Sequence, residues 1–449
     1  MKNSGVEWIG EIPEDWEVTP LKKLFSFGKG LPITKENLVE KGLPVISYGQ
    51  IHSKSNTGTK LQSELLRYVS NSYLDSNPNS LVHSGDFIFA DTSEDLEGCG
   101  NCCYIDKEIK LFAGYHTVIL QSKISKDNKY LAYLFKTDEW RKQLREKLVE
   151  VKLYSITQKA LKSTSVILPP KPTQQRIASY LDKKCSKIEE TIQNQQQVIE
   201  KLKAYKQSLI TEAVTGKIKI QNGKVCGKYE NYKDSGVEWI GKIPSGWIST
   251  RVGHLYKSML GKMVCPNQLT EEHSLQKYLC AMNVHFDGVD LSEIKEMWFT
   301  PNEMNQYQVK NGDLLVVEGG AGAGGAAIVQ GLSDKDEIFI QNSIHLVKPV
   351  KKDYLSKYLY YWIYSLVKQN YIDFTCNKAT IPHFTKEKLE GMPIAIADKN
   401  TQQEIIEFLD KKCSAIDVTI EQKQNLIKKL TEYKKSLIYE CVTGKKEIM

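Results

Sequence analysis

The chain has 449 residues, 41% hydrophobic and 26% charged, the balance of a globular protein of two or three folded units. Its formal net charge of +7 permits a polyanionic partner without requiring one. No apolar run reaches the roughly 18 residues that cross a bilayer, and the opening Met1-Lys2-Asn3-Ser4-Gly5-Val6-Glu7 lacks the apolar stretch of a secretory signal. A cytoplasmic, membrane-free protein is expected, its ten irregularly spaced cysteines held as reduced thiols.

In chain order, the first feature is Ser4-Gly5-Val6-Glu7-Trp8-Ile9-Gly10, which returns as Ser235-Gly236-Val237-Glu238-Trp239-Ile240-Gly241. Both copies run on through Ile-Pro to a second tryptophan, Trp16 and Trp247. All four tryptophans read as core residues. Next comes a variable stretch with strand-like runs at Leu43–Tyr48, Asp86–Ala90 and Thr117–Leu120. A helix is predicted over Lys129–Val149, with Leu131, Leu134, Trp140, Leu144 and Leu148 facing inward. Cys99, Cys102 and Cys103 lack the fourth ligand of a structural zinc site and read as chance clustering. Asp91, Glu94 and Asp95 read as a solvated acidic turn or as acceptors for cytosine amino groups.

Thr173 to Lys217 then aligns without gaps on Thr401 to Lys445, with about 27 of 45 positions identical. Steps of four and three from Leu181 meet Cys185, Ile188, Ile192, Ile199, Leu202, Leu209 and Ala213, interrupted by Gln195 and Lys206. The second copy gives Leu409, Cys413, Ile416, Ile420, Ile427, Leu430, Leu437 and Cys441. This is a heptad seam. Thr173 and Thr401 are the predicted N-caps, and Gly216 and Gly444 the predicted stops. A helix of this length spans about 60 Å. Two near-identical stripes in one chain are expected to pack together, and antiparallel pairing would put the two variable units at opposite ends of a rod.

Between the helices, Gln221 to Lys233 reads as a linker. The second variable stretch has strands at Leu314–Val317, Ile338–Ile340 and Ile344–Val347 and a helix at Asp353–Lys368. Its Gly319–Ala327 segment contains Gly-x-Gly-x-x-Ala, but Gly331 interrupts the residues after it, so no nucleotide-binding helix can form. A hairpin or a backbone approaching DNA is predicted there. The fold class is therefore α+β, with units at 1–171 and 234–399, repeated helices at 172–217 and 400–449, and a linker at 218–233.

Together these features resemble the specificity subunits of Type I restriction–modification systems. The resemblance rests on the two Ser-Gly-Val-Glu-Trp-Ile-Gly openings and the paired Thr-Gln-Gln … Leu-Asp-Lys-Lys … Val-Thr-Gly-Lys helices. It rests also on Phe87–Asp95 and on Thr380-Ile381-Pro382-His383-Phe384. It implies two target recognition domains, each reading half of a split site in double-stranded DNA, and helices that fix half-site spacing. It implies a subunit that is not itself catalytic. Two methyltransferase subunits would hold S-adenosylmethionine, and motor–nuclease subunits would use ATP with magnesium; this chain itself would hold no cofactor and no metal. On that reading, loop cations bind phosphates and amides read bases. The candidates are Lys29, Lys35, Tyr48, Gln50, Lys152, Tyr154, Ser155, Thr157, Gln158 and Lys159 in the first unit. In the second they are Lys262, Asn283, Asn377, Lys378, Thr380 and His383. A stand-alone modifying enzyme and a coiled-coil protein scaffold are the alternatives.

Overall fold

The computed structural model describes residues 1–6, 9–123, 127–147, 153–333, 335–376 and 382–448. The chain forms two compact units, residues 1–195 with 424–449, and residues 196–423. The two long helices, Lys171–Val214 and Lys399–Val442, are each 44 residues, and each gives one part to each unit. The compact units therefore cut across the order of segments in the sequence.

Both long helices start before the threonines expected to cap them. Asp398 caps the second, its carboxylate accepting from the backbone N–H of Asn400 (3.0 Å) and Thr401 (3.1 Å) and from the Thr401 hydroxyl (2.7 Å). Thr401 and Thr173 thus lie inside the first turn. The stops fall where the glycines predict, with Gly216 at φ +70° and Gly444 at φ +73°.

The heptad seam is buried within each unit. In the first unit Leu181, Cys185 and Ile188 of the first long helix share a core with Leu437, Ile438, Cys441 and Val442 of the second. In the second unit Leu209, Ile210, Ala213 and Val214 meet Ile405, Ile406, Phe408, Leu409 and Cys413. The start of one helix meets the end of the other, so the pair is antiparallel in each unit. Ion pairs agree with this register: Lys434 with Glu189 in the first unit, and Lys206 with Asp417 (2.7 Å) in the second.

Each unit adds a mixed set of sheets. The first holds an antiparallel sheet of Cys102–Tyr104, Phe87–Ala90, Thr117–Ser122 and Phe25–Lys29, in that order. Beside it lies a five-stranded sheet in which Leu43–Ile46 pairs in parallel with Leu111–Ala113. The second unit repeats this plan. Ala326–Ile328, Leu314–Val317, Ile344–Pro349 and Tyr256–Leu260 form the antiparallel sheet, and Ser274–Leu279 pairs in parallel with Ile338–Ile340. The central strands Phe87–Ala90 and Leu314–Val317 are buried on both faces, so they read as continuous apolar runs rather than alternating ones.

The same side chains fasten each set of sheets to the helices. Tyr133 donates to Asp182 (2.7 Å) and Lys129 pairs with the same carboxylate (2.6 Å). In the second unit Tyr361 and Lys357 do this with Asp410, both at 2.7 Å. The Tyr130 hydroxyl donates to the Val442 carbonyl (2.8 Å), and the Tyr358 hydroxyl to that of Val214 (2.9 Å). Pro13 and Trp16 pack on Gly444; Pro244 and Trp247 pack on Gly216.

Several expectations need correction. The helix predicted over Lys129–Val149 is two helices, Lys129–Leu134 and Asp138–Arg145, because Thr137 turns the chain and caps the second. The helix predicted from Asp353 begins at Ser356. The linker contains a small hairpin, Ile220–Gln221 with Lys224–Val225. Trp16 and Trp247 are buried as expected, but Trp239 is 38% exposed, its ring against Trp362 and Tyr371. Trp8 and Leu148 lie outside the described residues. The glycine-rich segment, by contrast, forms the hairpin predicted for it, joining Leu314–Val317 to its antiparallel neighbour Ala326–Ile328.

Candidate nucleic-acid interface

In the first unit the candidate residues converge on a groove of about 1090 Å³. Seven of the ten line it: Lys29, Lys35, Tyr48, Ser155, Thr157, Gln158 and Lys159. Lys29 ends the strand Phe25–Lys29, and Lys35 opens a single turn whose Thr34 and Asn37 cap each other. Tyr48 opens the short helix Tyr48–Ile51, its ring against those of Tyr115 and His116. Thr157 caps Gln158–Lys162, accepting from the Ala160 N–H (3.1 Å). The Gln158 amide donates to the Gly28 carbonyl (2.9 Å), tying that helix to the strand that carries Lys29. Gly30 allows this floor to close, since a Cβ there would lie 1.9 Å from the Gly114 carbonyl oxygen.

Three exposed lysines and a set of hydroxyl, amide and aromatic groups suit a polyanion whose edges are also read. Two first-unit candidates do other work. Gln50 accepts from the Ser47 N–H (3.1 Å) and closes a capping box, and the Tyr154 ring packs on the core. Lys152, Asn377, Lys378 and Thr380 lie outside the described residues.

In the second unit two candidates are corrected. Asn283 is buried, its amide donating to the carbonyls of Asp290 (3.1 Å) and Glu293 (3.0 Å) while its oxygen accepts from the Cys280 N–H (3.0 Å). It staples a loop and has no hydrogen left for a base. Lys262 is buried against Glu303, over the Phe299 ring. His383 is accessible, with its side chain 57% exposed and Nδ1 3.2 Å from Glu318.

The register places these residues on the same frame as the groove of the first unit. The Gly30 N–H donates to the Thr117 carbonyl, and the Gly261 N–H to that of Ile344. The Ile156 N–H donates to Asp91 and the Phe384 N–H to Glu318. Ser155 lies opposite Thr92 as His383 lies opposite Gly319. By this register Asp91 matches Glu318, His116 matches Ser343, Ser155 matches His383, and Leu31 matches Lys262. Sequence reasoning missed Tyr115, His116, Glu318 and Ser343. Their proximity comes from strand ends brought together by pairing, for which the sequence carries no local signal.

The cysteine cluster is structural. Cys99, Cys102 and Cys103 are buried, and burial pushes the Cys102 thiol up to about 12 and raises that of Cys103 as well. These are inert protonated thiols. Among the described residues no group of three or more His, Cys, Asp or Glu is placed to hold a metal ion, and no helix is long and apolar enough to cross a membrane.

The family model described as the Type I restriction modification DNA specificity domain matches residues 13–201 and 293–430. The Type I restriction enzyme MjaVIII specificity subunit of Methanocaldococcus jannaschii is 26% identical over 218 residues, covering 48% of this chain and 49% of that one. The putative MjaX specificity subunit of the same organism is 24% identical over 449 residues, 97% of this chain and 95% of its own. Among solved structures, a chain from a study of type I restriction–modification complex assembly superposes with a TM-score of 0.69 at 14% identity, over 96% of this chain and 98% of its own. At that identity the likeness is one of fold.

Proposed function

The chain belongs to the Type I restriction modification DNA specificity family, and on that premise we propose that each of its two units reads one half of a bipartite DNA site. The observation that carries this reading is the repetition of one strand plan around two different sets of strand-end side chains. A common frame suits a common task, and different strand ends suit different base sequences. Lys29, Lys35 and Lys159 would bind phosphates in the first unit, while Tyr48, Ser155, Thr157 and Gln158 approach base edges. His383 would join the interface in the second unit, and Lys152, Asn377, Lys378 and Thr380 remain proposed contacts by residue type.

The two continuous helices join the units, and their length would set the half-site spacing. Their exposed faces would dock two methyltransferase subunits, which supply S-adenosylmethionine and the methyl transfer. Motor–nuclease subunits would supply ATP use with magnesium and cleavage. Catalysis would thus belong to the partners, acting on cytoplasmic DNA. Mapping methylated adenines in cells that carry this chain with its methyltransferase tests the reading. One split motif with an unread interior of fixed length is expected. Methylation without such a motif, or label transfer from S-adenosylmethionine to DNA by the purified chain alone, would overturn it.

A further inference from the structure

The strand end that faces the first-unit groove carries an acid, and so does its counterpart in the second unit. Asp91 comes directly after Phe87–Ala90, and Glu318 directly after Leu314–Val317. Each is held by the same two backbone hydrogen bonds. Its N–H donates to the carbonyl of His116 or Ser343 (3.1 and 2.8 Å), and its carbonyl accepts from Ile156 or Phe384 (2.7 and 2.6 Å). Each carboxylate also meets an imidazole Nδ1 at 3.2 Å, but the two rings come from different places. His116 stands just before the strand Thr117–Ser122, whereas His383 stands in the segment before Lys386–Gly391. The position of His116 is filled by Ser343 in the second unit, and that of His383 by Ser155 in the first. Two diverged sequences thus place one acid, one imidazole and one serine at the same strand ends, with imidazole and serine exchanged.

A core requirement does not explain this. Both imidazoles are more than half exposed, Asp91 is about one-third exposed, and Glu318 keeps 18% of its side chain accessible. A carboxylate on a surface that must approach phosphates also costs affinity unless it recognises something. We infer that Asp91 and Glu318 are specificity-determining residues, each accepting a hydrogen bond from a base amino group in the major groove. Such groups are the N4 amino of cytosine and the N6 amino of adenine. An ionised carboxylate only accepts, so it repels the carbonyl and ring-nitrogen acceptors of guanine and the carbonyl of thymine. His116 and His383 are positioning residues. With the proton on Nδ1 the ring donates to the carboxylate and fixes its direction, and the exchange of imidazole and serine aims the acid differently in each unit.

This inference rests on the half-site reading proposed above, and its test separates the two. The complete chain, assembled with its methyltransferase, is given DNA in which both half-sites are randomised, and methylated molecules are sequenced. Asp91→Asn and Glu318→Gln are compared with the unchanged chain. An amide both donates and accepts, so each variant should lose roughly 10- to 100-fold of its discrimination at one base pair. The loss for Asp91→Asn falls in one half-site and for Glu318→Gln in the other, and the untouched half-site reports intact folding and assembly. His116→Ala should relax the same base pair as Asp91→Asn, with His116→Asn restoring part of the preference. Unchanged preferences, or weakening that is uniform over all sequences, would overturn the role of the acids and leave half-site reading intact. A lack of any split motif in the unchanged chain would instead defeat half-site reading itself, and this inference with it.

Discussion

Replacing Gly444 with alanine tests how the amino-terminal repeat fastens the end of the second long helix in the first unit. Gly444 has φ +73°, and a Cβ there would lie 2.6 Å from both Cγ and Cδ of Pro13 and 3.3 Å from the Trp16 ring. The left-handed backbone costs an alanine about 1–2 kcal/mol, and forcing a methyl against packed neighbours about 1–3 kcal/mol more. Gly10→Ala supplies the control within the same unit. Its φ is +70°, but nothing lies within 4 Å of its Cβ position, so only the backbone cost applies. The readout is native-state hydrogen exchange at the Thr443 amide, which donates to the Tyr439 carbonyl at 3.0 Å. Gly444→Ala should lower its protection by the packing cost beyond Gly10→Ala, roughly 5- to 150-fold at 1.4 kcal/mol per factor of ten. Adding Pro13→Ala should recover part of that loss. Equal protection in the two single variants would refute the claim that Pro13 and Trp16 clamp this helix end.

Asn283→Ala removes the side-chain hydrogen bonds to Cys280, Asp290 and Glu293 and should cost about 2–3 kcal/mol in urea unfolding. Base preference should not change; a changed preference would return Asn283 to the reading surface. Tyr133→Phe removes the hydroxyl from the Asp182 carboxylate, and thermal unfolding should show a loss of about 1–2 kcal/mol, with the same for Tyr361→Phe at Asp410. Burial lowers the His345 pKa, its Nε2 lying 3.2 Å from the Phe384 carbonyl oxygen. The unfolded chain therefore binds the proton more readily, so stability is fully present above the ordinary histidine value of about 6.5 and falls as pH drops below it. His345→Val, which copies Val118 of the first unit, should flatten that slope in pH-dependent unfolding. Alanine at Lys29, Lys35 or Lys159 should weaken DNA binding almost equally for all sequences and lower the salt slope by about 0.9 for each phosphate left unneutralised.

The frame was legible in the sequence because its signals are local and repeated. The seam from Leu181 to Ala213 has helical spacing, and its copy at Leu409 to Cys441 implies a partner for each stripe. Glycines at 216 and 444 mark the stops without reference to anything distant. The second helix starts earlier than its repeat predicts because Asp398 caps it from outside the repeated block, and the first starts just after Pro170, which stands at the matching position. The predicted helix at Lys129–Val149 hid its break because the apolar spacing carries on across Thr137. The lysines and hydroxyls that line the first groove, such as Lys29 and Thr157, stand at the ends of strands and helices, and residue type alone picks them out. That rule fails for Lys262 and Asn283, whose polar ends are spent inside the fold on Glu303 and on the carbonyls of Asp290 and Glu293. The pairing of Asp91 with His116 and of Glu318 with His383 spans 25 and 65 residues. Only the strand registers bring those groups together.

The most direct measurement is methylation by the assembled complex on DNA carrying its split site with the unread interior lengthened or shortened by one base pair. Two readers joined by continuous helices should accept one interior length and lose nearly all activity on either side of it. Equal methylation at all three lengths would contradict the account.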